Sequence, residues 1–434
     1  HGQLDNSGSL YGKSMNVVAD SVVNTGQINA EAGHISVGTV LNEGIIYSQT
    51  VLNFNEARHI ENKGEISAQS LGVYTDSLIN DGVMASKTAM YRAETIDNSG
   101  RLSSDENQIL EYTTLTNSGE LSGRGVTLMG GETVNEGVLS GEAFIKSIGL
   151  KLTNKGAIQG EFLEIEQGEL INEGTLLAEN ISIEGGRLVN TEVGEFHAGK
   201  ASVEVSQEIE NEGIISIEES VSLTASNQIN NAGTVVGQLV KFGSKQINND
   251  GLVQCEETYF SSENLINRGS IISEGIQNVS VYKLENSGTL ESKELKLKQS
   301  KLSNTGQINS VVGNIKATRL NNEGSIYAQS VLNLSAETHI ENKGEITAHD
   351  LGVETHLLSN EGSIDSATAT YRVHTIANKG RLSSVGNQTL HYTSLNNSGE
   401  LVGAGLTLEG DGAENRGTIA GESFIKSKGL KFEN

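Results

Sequence analysis

One local pattern governs what this chain can fold into: Asn-any-Gly, flanked by aliphatic residues, recurs about every nineteen residues, twenty-two times between Asn6 and Asn415. The first instances are LDNSGSL at 4–10, VVNTGQI at 22–28, LNEGII at 41–46 and IENKGEI at 60–66. Two residues before Asn stand Leu4, Val22, Ile60, Leu78 and Ile96; four residues after it stand Leu10, Ile28, Ile46, Ile66 and Met84. A unit this short cannot bury its own apolar side, so it must stack on copies of itself.

A longer repeat lies over the short one. From Asn6 the Asn-to-Asn steps run 18, 18, 20, 18, 18, 19, 18 and 19, and the same eight steps recur in order from Asn286 to Asn434. Positions in the last third equal those in the first third plus 280, and 59–66 matches 339–346 at all eight residues. Residues 1–434 therefore read as a single continuous solenoid containing a duplicated block, with about 1–154 resembling 281–434. The pattern is cut at both ends, in HGQLDNSG and in LKFEN at Asn434, which leads us to expect a fragment of a longer protein.

Composition agrees with a stacked aliphatic column. Aromatic residues make up 4 %, Trp and Pro are absent, and Gly reaches 51. Proline removes a backbone donor, so a chain whose strands are nearly all central has little room for it. A net charge of -25 disfavours nucleic acid and anionic membrane as partners. The lone cysteine, Cys255, excludes an internal disulfide framework and a Cys-based zinc site and reads as a small core filler. No apolar run reaches the roughly 20 residues needed to span a bilayer, and no signal sequence precedes the pattern, so no membrane insertion is expected.

Around each Asn-any-Gly the aliphatic spacing is even, the period of a strand. A second even-spaced pair follows nine and eleven residues after Asn, as in Met15 and Val17, Leu71 and Val73, Val126 and Leu128, Leu163 and Ile165, and Ile181 and Ile183. Two or three short strands per turn, repeated in parallel, make an all-β fold: a right-handed parallel β-helix (β-solenoid) of about 24 rungs of 18–21 residues. Gly two after Asn suits a corner needing positive φ, and Asn tolerates the left-handed region and bonds its own backbone. Stacked Asn amides are expected to form a ladder, each carbonyl accepting from the next NH₂. The insertion in LVNTEVGEF and the 20-residue step from Asn211 to Asn231 mark bulged turns, where a bend is expected.

This repeat resembles the shafts of filamentous-haemagglutinin-like exoproteins of bacterial two-partner secretion, which carry roughly nineteen-residue repeats with an N-x-G corner. The resemblance covers essentially the whole chain. It implies a right-handed parallel β-helix in an adhesin or in the stalk of a contact-dependent growth-inhibition toxin. It also implies a secreted or bacterial cell-surface location, and an outer-membrane secretion partner engaged through regions outside this chain.

No constellation of catalytic, cofactor-binding or metal-binding residues emerges. Acidic residues are spread along all turns on outer or corner positions, without the clustered carboxylates that polysaccharide-active β-helix enzymes need. Calcium-binding solenoids need a glycine-rich nonapeptide with a regular Asp, and only the pairs Gly130–Gly131 and Gly185–Gly186 occur. The histidines His34, His59, His339, His349, His356, His374 and His391 stand at unrelated phases and read as surface residues. The middle corner residue varies through Glu43, Lys63, Asp81, Ser99, Ser118, Glu136, Lys155 and Glu173, a mixing of signs that keeps a stacked corner from repelling itself. Tyr47, Tyr91 and Tyr112 return as Tyr327, Tyr371 and Tyr392, and GEAFIKSIGLKL at 141–152 returns as GESFIKSKGLKF at 421–432. Recent duplication accounts for these better than a repeated ligand patch.

The expected function is structural: a monomeric, rigid extracellular shaft of a bacterial surface exoprotein, projecting a distal binding or toxin module toward a target cell. An adhesin segment that itself binds a receptor or glycan is the alternative, and a polysaccharide-active enzyme the third reading. Which residues would bind such a ligand is unknown from the pattern.

Overall fold

The computed structural model describes residues 2–433; His1 and Asn434 lie outside the described residues, as do the side chains of Leu430 and Phe432. Every regular element is a β-strand, with no helix among the described residues, and the pairings are parallel. The chain is a β-solenoid. It divides into two compact units, His1–Glu218 and Glu219–Asn434.

In the first unit most turns run as one ribbon from just after one corner to the Asn of the next, as in Gln27–Asn42, Glu65–Asn80 and Thr175–Asn190. The three extended stretches expected within a turn survive as separate runs of pairing. Ser9–Gly12, Ser14–Ala19 and Ser21–Asn24 pair in register with the following turn, with Lys13 and Asp20 at the two bends between these runs. Side chains alternate in and out along each run, so Ile28, Ile46, Ile66, Met84 and Leu102 stack in one buried column. Leu71 with Val73, and Leu163 with Ile165, are buried in a second column, while Met15 and Val17 at the terminal turn are only half-buried. The second unit repeats the arrangement, with Ile308, Ile326, Ile346, Ile364 and Leu382 buried in register. No Asp, Glu, Lys or Arg is buried among the described residues.

The polar part of the core is the asparagine column. Asn24, Asn42, Asn62 and Asn80 have no exposed surface. Their amides bond directly from turn to turn: Asn24 Nδ2 donates to Asn42 Oδ1 at 2.8 Å, Asn42 to Asn62 at 2.7 Å, Asn62 to Asn80 at 2.8 Å and Asn80 to Asn98 at 2.7 Å. In the second unit the same ladder runs through Asn249, Asn267, Asn286 and Asn304 with spacings of 2.8 Å. The expected ladder is present, but its sense is reversed: the donor belongs to the preceding turn. The reason is local. Asn24 Nδ2 also faces the backbone carbonyl of Ile45 in the following turn at 3.1 Å, and that of Gly26 at 3.3 Å, so only the NH₂ end fits on that side.

The corner glycine serves a different purpose from the one its sequence position suggests. Among the described residues only Glu56 and Gly185 have positive φ, so the corner glycines are not in the left-handed region. They are required by proximity. A Cβ on Gly44 would sit 2.1 Å from the carbonyl oxygen of Gly26, and one on Gly82 would sit 2.2 Å from that of Gly64. The backbones approach this closely because one Asn carbonyl takes two donors from the next turn. Asn24 O accepts Glu43 N at 2.8 Å and Gly44 N at 2.9 Å, and Ile45 N then reaches Gly26 O at 2.9 Å.

The insertion near Val193 is accommodated outside this frame. Thr191 to Gly194 form a tight turn, with Gly194 N bonded to Thr191 O at 2.8 Å, and Val193 is pushed into solvent. Gly194 resumes the corner position, its virtual Cβ 2.3 Å from Asn172 O, and Asn190 Nδ2 still reaches Asn211 Oδ1 at 2.8 Å. The two extra residues therefore bulge outward and the ladder continues.

Two substitutions test this frame. Asn80→Ala removes the acceptor of Asn62 and the donor to Asn98, and is expected to cost about 3 kcal/mol in denaturant unfolding, because two buried polar groups are left unpaired. Gly82→Asn is expected to be as harmful as Gly82→Ala, since either Cβ meets Gly64 O. At a positive-φ corner Asn would have been the milder change, so a well-tolerated Gly82→Asn would contradict the proximity argument.

Candidate functional site

Because the core excludes charge, any chemistry must stand on the outward columns. At the corners, oppositely charged middle residues pair from turn to turn: Lys155 with Glu136 at 3.1 Å, Arg268 with Asp250 at 3.0 Å and Lys379 with Glu361 at 2.8 Å. Ser99 Oγ donates to Asp81 at 2.6 Å. Exposed pairs of this kind add little stability but remove like-charge repulsion between stacked turns. Lys63 instead pairs within its own turn, with Glu61, and that bond raises its pKa.

Most of the histidines lie on separate turns with separate partners. His356 and His374, expected at unrelated phases, instead stand at the same phase on successive turns, because Thr355 pairs with Val373 and Leu357 with Thr375 on either side of them. His59 contacts Ser77 Oγ at 3.3 Å, and His339 contacts Ser359 Oγ at 3.2 Å. Burial, helped by nearby Arg319, holds His339 below the usual imidazole range. His391 lies 3.2 Å from Glu409, and His349 lies 3.4 Å from Asp350. His356 and His374 stack face to face, with centroids 4.5 Å apart. No group of three or more metal-ligating side chains forms among the described residues. Cys255 is buried against Ser273 Oγ at 3.6 Å, and burial pushes its thiol up to about 11.

The repeated tyrosines do not form a patch. Tyr91 and Tyr371 are wholly buried with unpartnered hydroxyls, and burial raises their pKa strongly. Tyr112 is buried with its hydroxyl 2.5 Å from Thr133 Oγ1, and burial pushes it up to about 12. Its counterpart Tyr392 has Ala413 where Thr133 stands in the first copy, and is half-buried. Tyr47 and Tyr327 alone face solvent, at 44 % and 43 % exposure. In the segment 141–152, Lys146 bridges Glu164 at 2.6 Å and Glu166 at 3.1 Å, and its pKa is raised by those bonds.

One concavity does gather polar side chains. In the second unit a cleft of about 540 Å³ crosses the bend between the second and third stretches of successive turns. Ser280, Lys298, Gln299, Lys316, Thr318 and Glu337 line it. Lys298 and Lys316 lie directly opposite each other in register, one stacked-strand spacing of about 4.8 Å apart. The sequence reading named none of these residues. The available signal was KELKLKQSK at 293–301, a dense run of lysine in an acidic chain.

Comparisons with protein-family models, with curated proteins and with solved structures gave no match.

The tyrosines provide a check on the packing. Tyr91→Phe deletes an unpaired buried hydroxyl and is expected to leave stability unchanged or higher, whereas Tyr112→Phe loses the Thr133 bond and is expected to cost about 1 kcal/mol. The Tyr112 hydroxyl is raised from an unfolded value of about 10 to about 12. Its stabilisation is thus complete below pH 10 and lost as pH rises toward 12. Denaturant titrations across that range should show a smaller alkaline loss in Tyr112→Phe than in the parent.

Proposed function

We propose that this chain is a segment of a rigid extracellular shaft, part of a bacterial surface exoprotein that projects a distal binding or toxin module toward a target cell. The observation that carries the reading is the self-repeating corner. Each turn presents the next with the same carbonyl, the same amide and the same glycine gap, as at Asn42, Gly44 and Glu65. Nothing in such a frame limits turn number, so length can grow by duplication without a new core. The eleven steps from Asn6 to Asn211 in the first unit correspond to about 53 Å at the strand spacing, and the ten from Asn231 to Asn415 in the second to about 48 Å.

The resemblance of the repeat to filamentous-haemagglutinin-like shafts supports the same reading, with a secreted or cell-surface location and a secretion partner engaged elsewhere in the full protein. A segment that also touches the target surface, as an adhesin does, is the second reading; the polar cleft around Lys298 and Lys316 favours it.

Turn excision tests the spacer role. Deleting residues 361–378 rejoins Asn360 to Lys379 and restores an Asn-any-Gly corner. That variant is expected to fold with an unchanged all-β circular dichroism spectrum, whereas deleting nine residues from the same turn is expected to unfold the second unit. In the full exoprotein, cell attachment or toxicity should decline with the number of turns removed, whichever turns they are. A loss tied to one particular turn would defeat the spacer reading.

A further inference from the structure

The duplicated block allows an internal comparison at one outer bend of the second unit. His356 and His374 stand where the first copy has Asp76 and Glu94, while Thr355, Thr375 and Thr393 around them repeat Thr75, Thr95 and Thr113. Two acidic positions have become two histidines in an otherwise similar frame. His349 and His391 are also new to the second copy, in place of Gln69 and Glu111, but each of these sits beside a carboxylate, that of Asp350 or Glu409.

The fold brings the first two together. Pairing of Thr355 with Val373 and of Leu357 with Thr375 sets His356 and His374 at one phase on successive turns. Their rings lie 4.5 Å apart and within 12° of parallel, and both residues are exposed. Phe242 and Phe260 stack in the same manner, with centroids 4.9 Å apart, but those rings are buried and fill the core. An exposed pair of imidazoles has no such packing role, and a neutral imidazole offers a nitrogen lone pair.

The next turn orients one of the rings. Thr393 Oγ1 lies 3.1 Å from His374 Nδ1. With this hydroxyl accepting from Nδ1–H, the lone pair of His374 is on Nε2, the arrangement that a metal-ligating histidine takes from its outer partner. Metal–imidazole bonds are about 2.0–2.1 Å long, so two nitrogens on one ion stand roughly 3 Å apart. Rotation of two exposed side chains about χ1 and χ2 closes the gap from the 4.5 Å stack.

Protein side chains supply only these two ligands. Glu337, at the same bend one turn earlier, accepts from Thr318 Oγ1 at 3.1 Å, and no group of three metal-ligating side chains forms among the described residues. Water would complete the shell. Imidazole nitrogens suit copper, nickel and zinc, whereas calcium and magnesium require oxygen ligands. Copper(II) is the tightest binder of that series.

We propose that His356 and His374 together chelate one divalent transition-metal ion, copper(II) most tightly, clipping two successive turns on their outer side. The site is independent of the shaft reading. Deleting residues 361–378 removes His374, so the excised protein should keep its circular dichroism spectrum and lose the ion. If it fails to fold while the parent binds the ion, the shaft frame is wrong and the site stands.

The test is copper(II) titration of the 434-residue protein, carrying no added histidines, by calorimetry and electron paramagnetic resonance. One tight ion per chain is expected, with a spectrum showing two nitrogen ligands, and excess calcium should not displace it. H356Q and H374Q should each weaken that binding about tenfold or more, because the second ligand no longer acts within the same molecule; H391Q should bind as the parent does. In the first copy Tyr74 pairs with Arg92 and Ser77 with Thr95, so Asp76 and Glu94 occupy the same bend. D76H/E94H should therefore bind a second tight ion. Circular dichroism of each variant guards against misfolding as the cause. The proposal is overturned if no tight ion binds, if H356Q/H374Q binds like the parent, or if H391Q abolishes the site. It is equally overturned if each single variant merely loses half of the bound metal at unchanged affinity, if sedimentation shows the ion joining two chains, or if a folded D76H/E94H gains no ion.

Discussion

The rest of the structure depends on how closely two backbones can pass at the Asn-any-Gly corner. One Asn carbonyl accepts two N–H groups from the following turn, and this draws the glycine onto the preceding glycine's oxygen, leaving no space for a Cβ. The buried Asn amide then fills the interior of the bend and hands one hydrogen bond to its successor. Because the Asn amides and corner N–H groups find partners within their own turn and on the neighbouring turns, the chain can turn inside its own core with these polar groups satisfied. The aliphatic columns follow from that alignment, since turns held in register at one corner must place equivalent side chains over one another.

This arrangement also decides where function can reside. The interior is filled mainly by Ile, Leu, Val, Ala and Asn, and among the described residues charge is kept outside it. Outward positions are free to vary turn by turn, within the limit that stacked like charges repel, and most cations accordingly sit beside a carboxylate of a neighbouring turn or position. Lys298 and Lys316 depart from that rule, and the frame tolerates the departure because the corners above and below are unaffected. A solenoid thus separates what holds it together from what it can recognise.

Much of this was legible in the sequence. The even spacing of Leu71 and Val73, or Leu163 and Ile165, revealed the strands, and the recurring Asn foretold an amide ladder. Two inferences about the same corner needed correction. Positive φ is the usual reason for glycine in a turn, so proximity to Gly64 could not be told apart from it at Gly82 without coordinates. The sense of the ladder likewise depends on the Ile45 carbonyl facing Asn24 Nδ2, a contact between residues twenty-one apart. The tyrosines illustrate a third limit: Tyr91 and Tyr47 are equally repeated in sequence, yet one is wholly buried and the other faces solvent.

The sequence alone determined that this chain is a stack of similar turns, because a nineteen-residue unit with two aliphatic columns has no other way to bury them. It also determined that a block of those turns was copied, through identical step lengths 280 residues apart. Only the tertiary structure decided why the glycines are obligatory and which charges lack partners. Both depend on distances between residues about eighteen positions apart, and those distances exist only once one turn lies on the next.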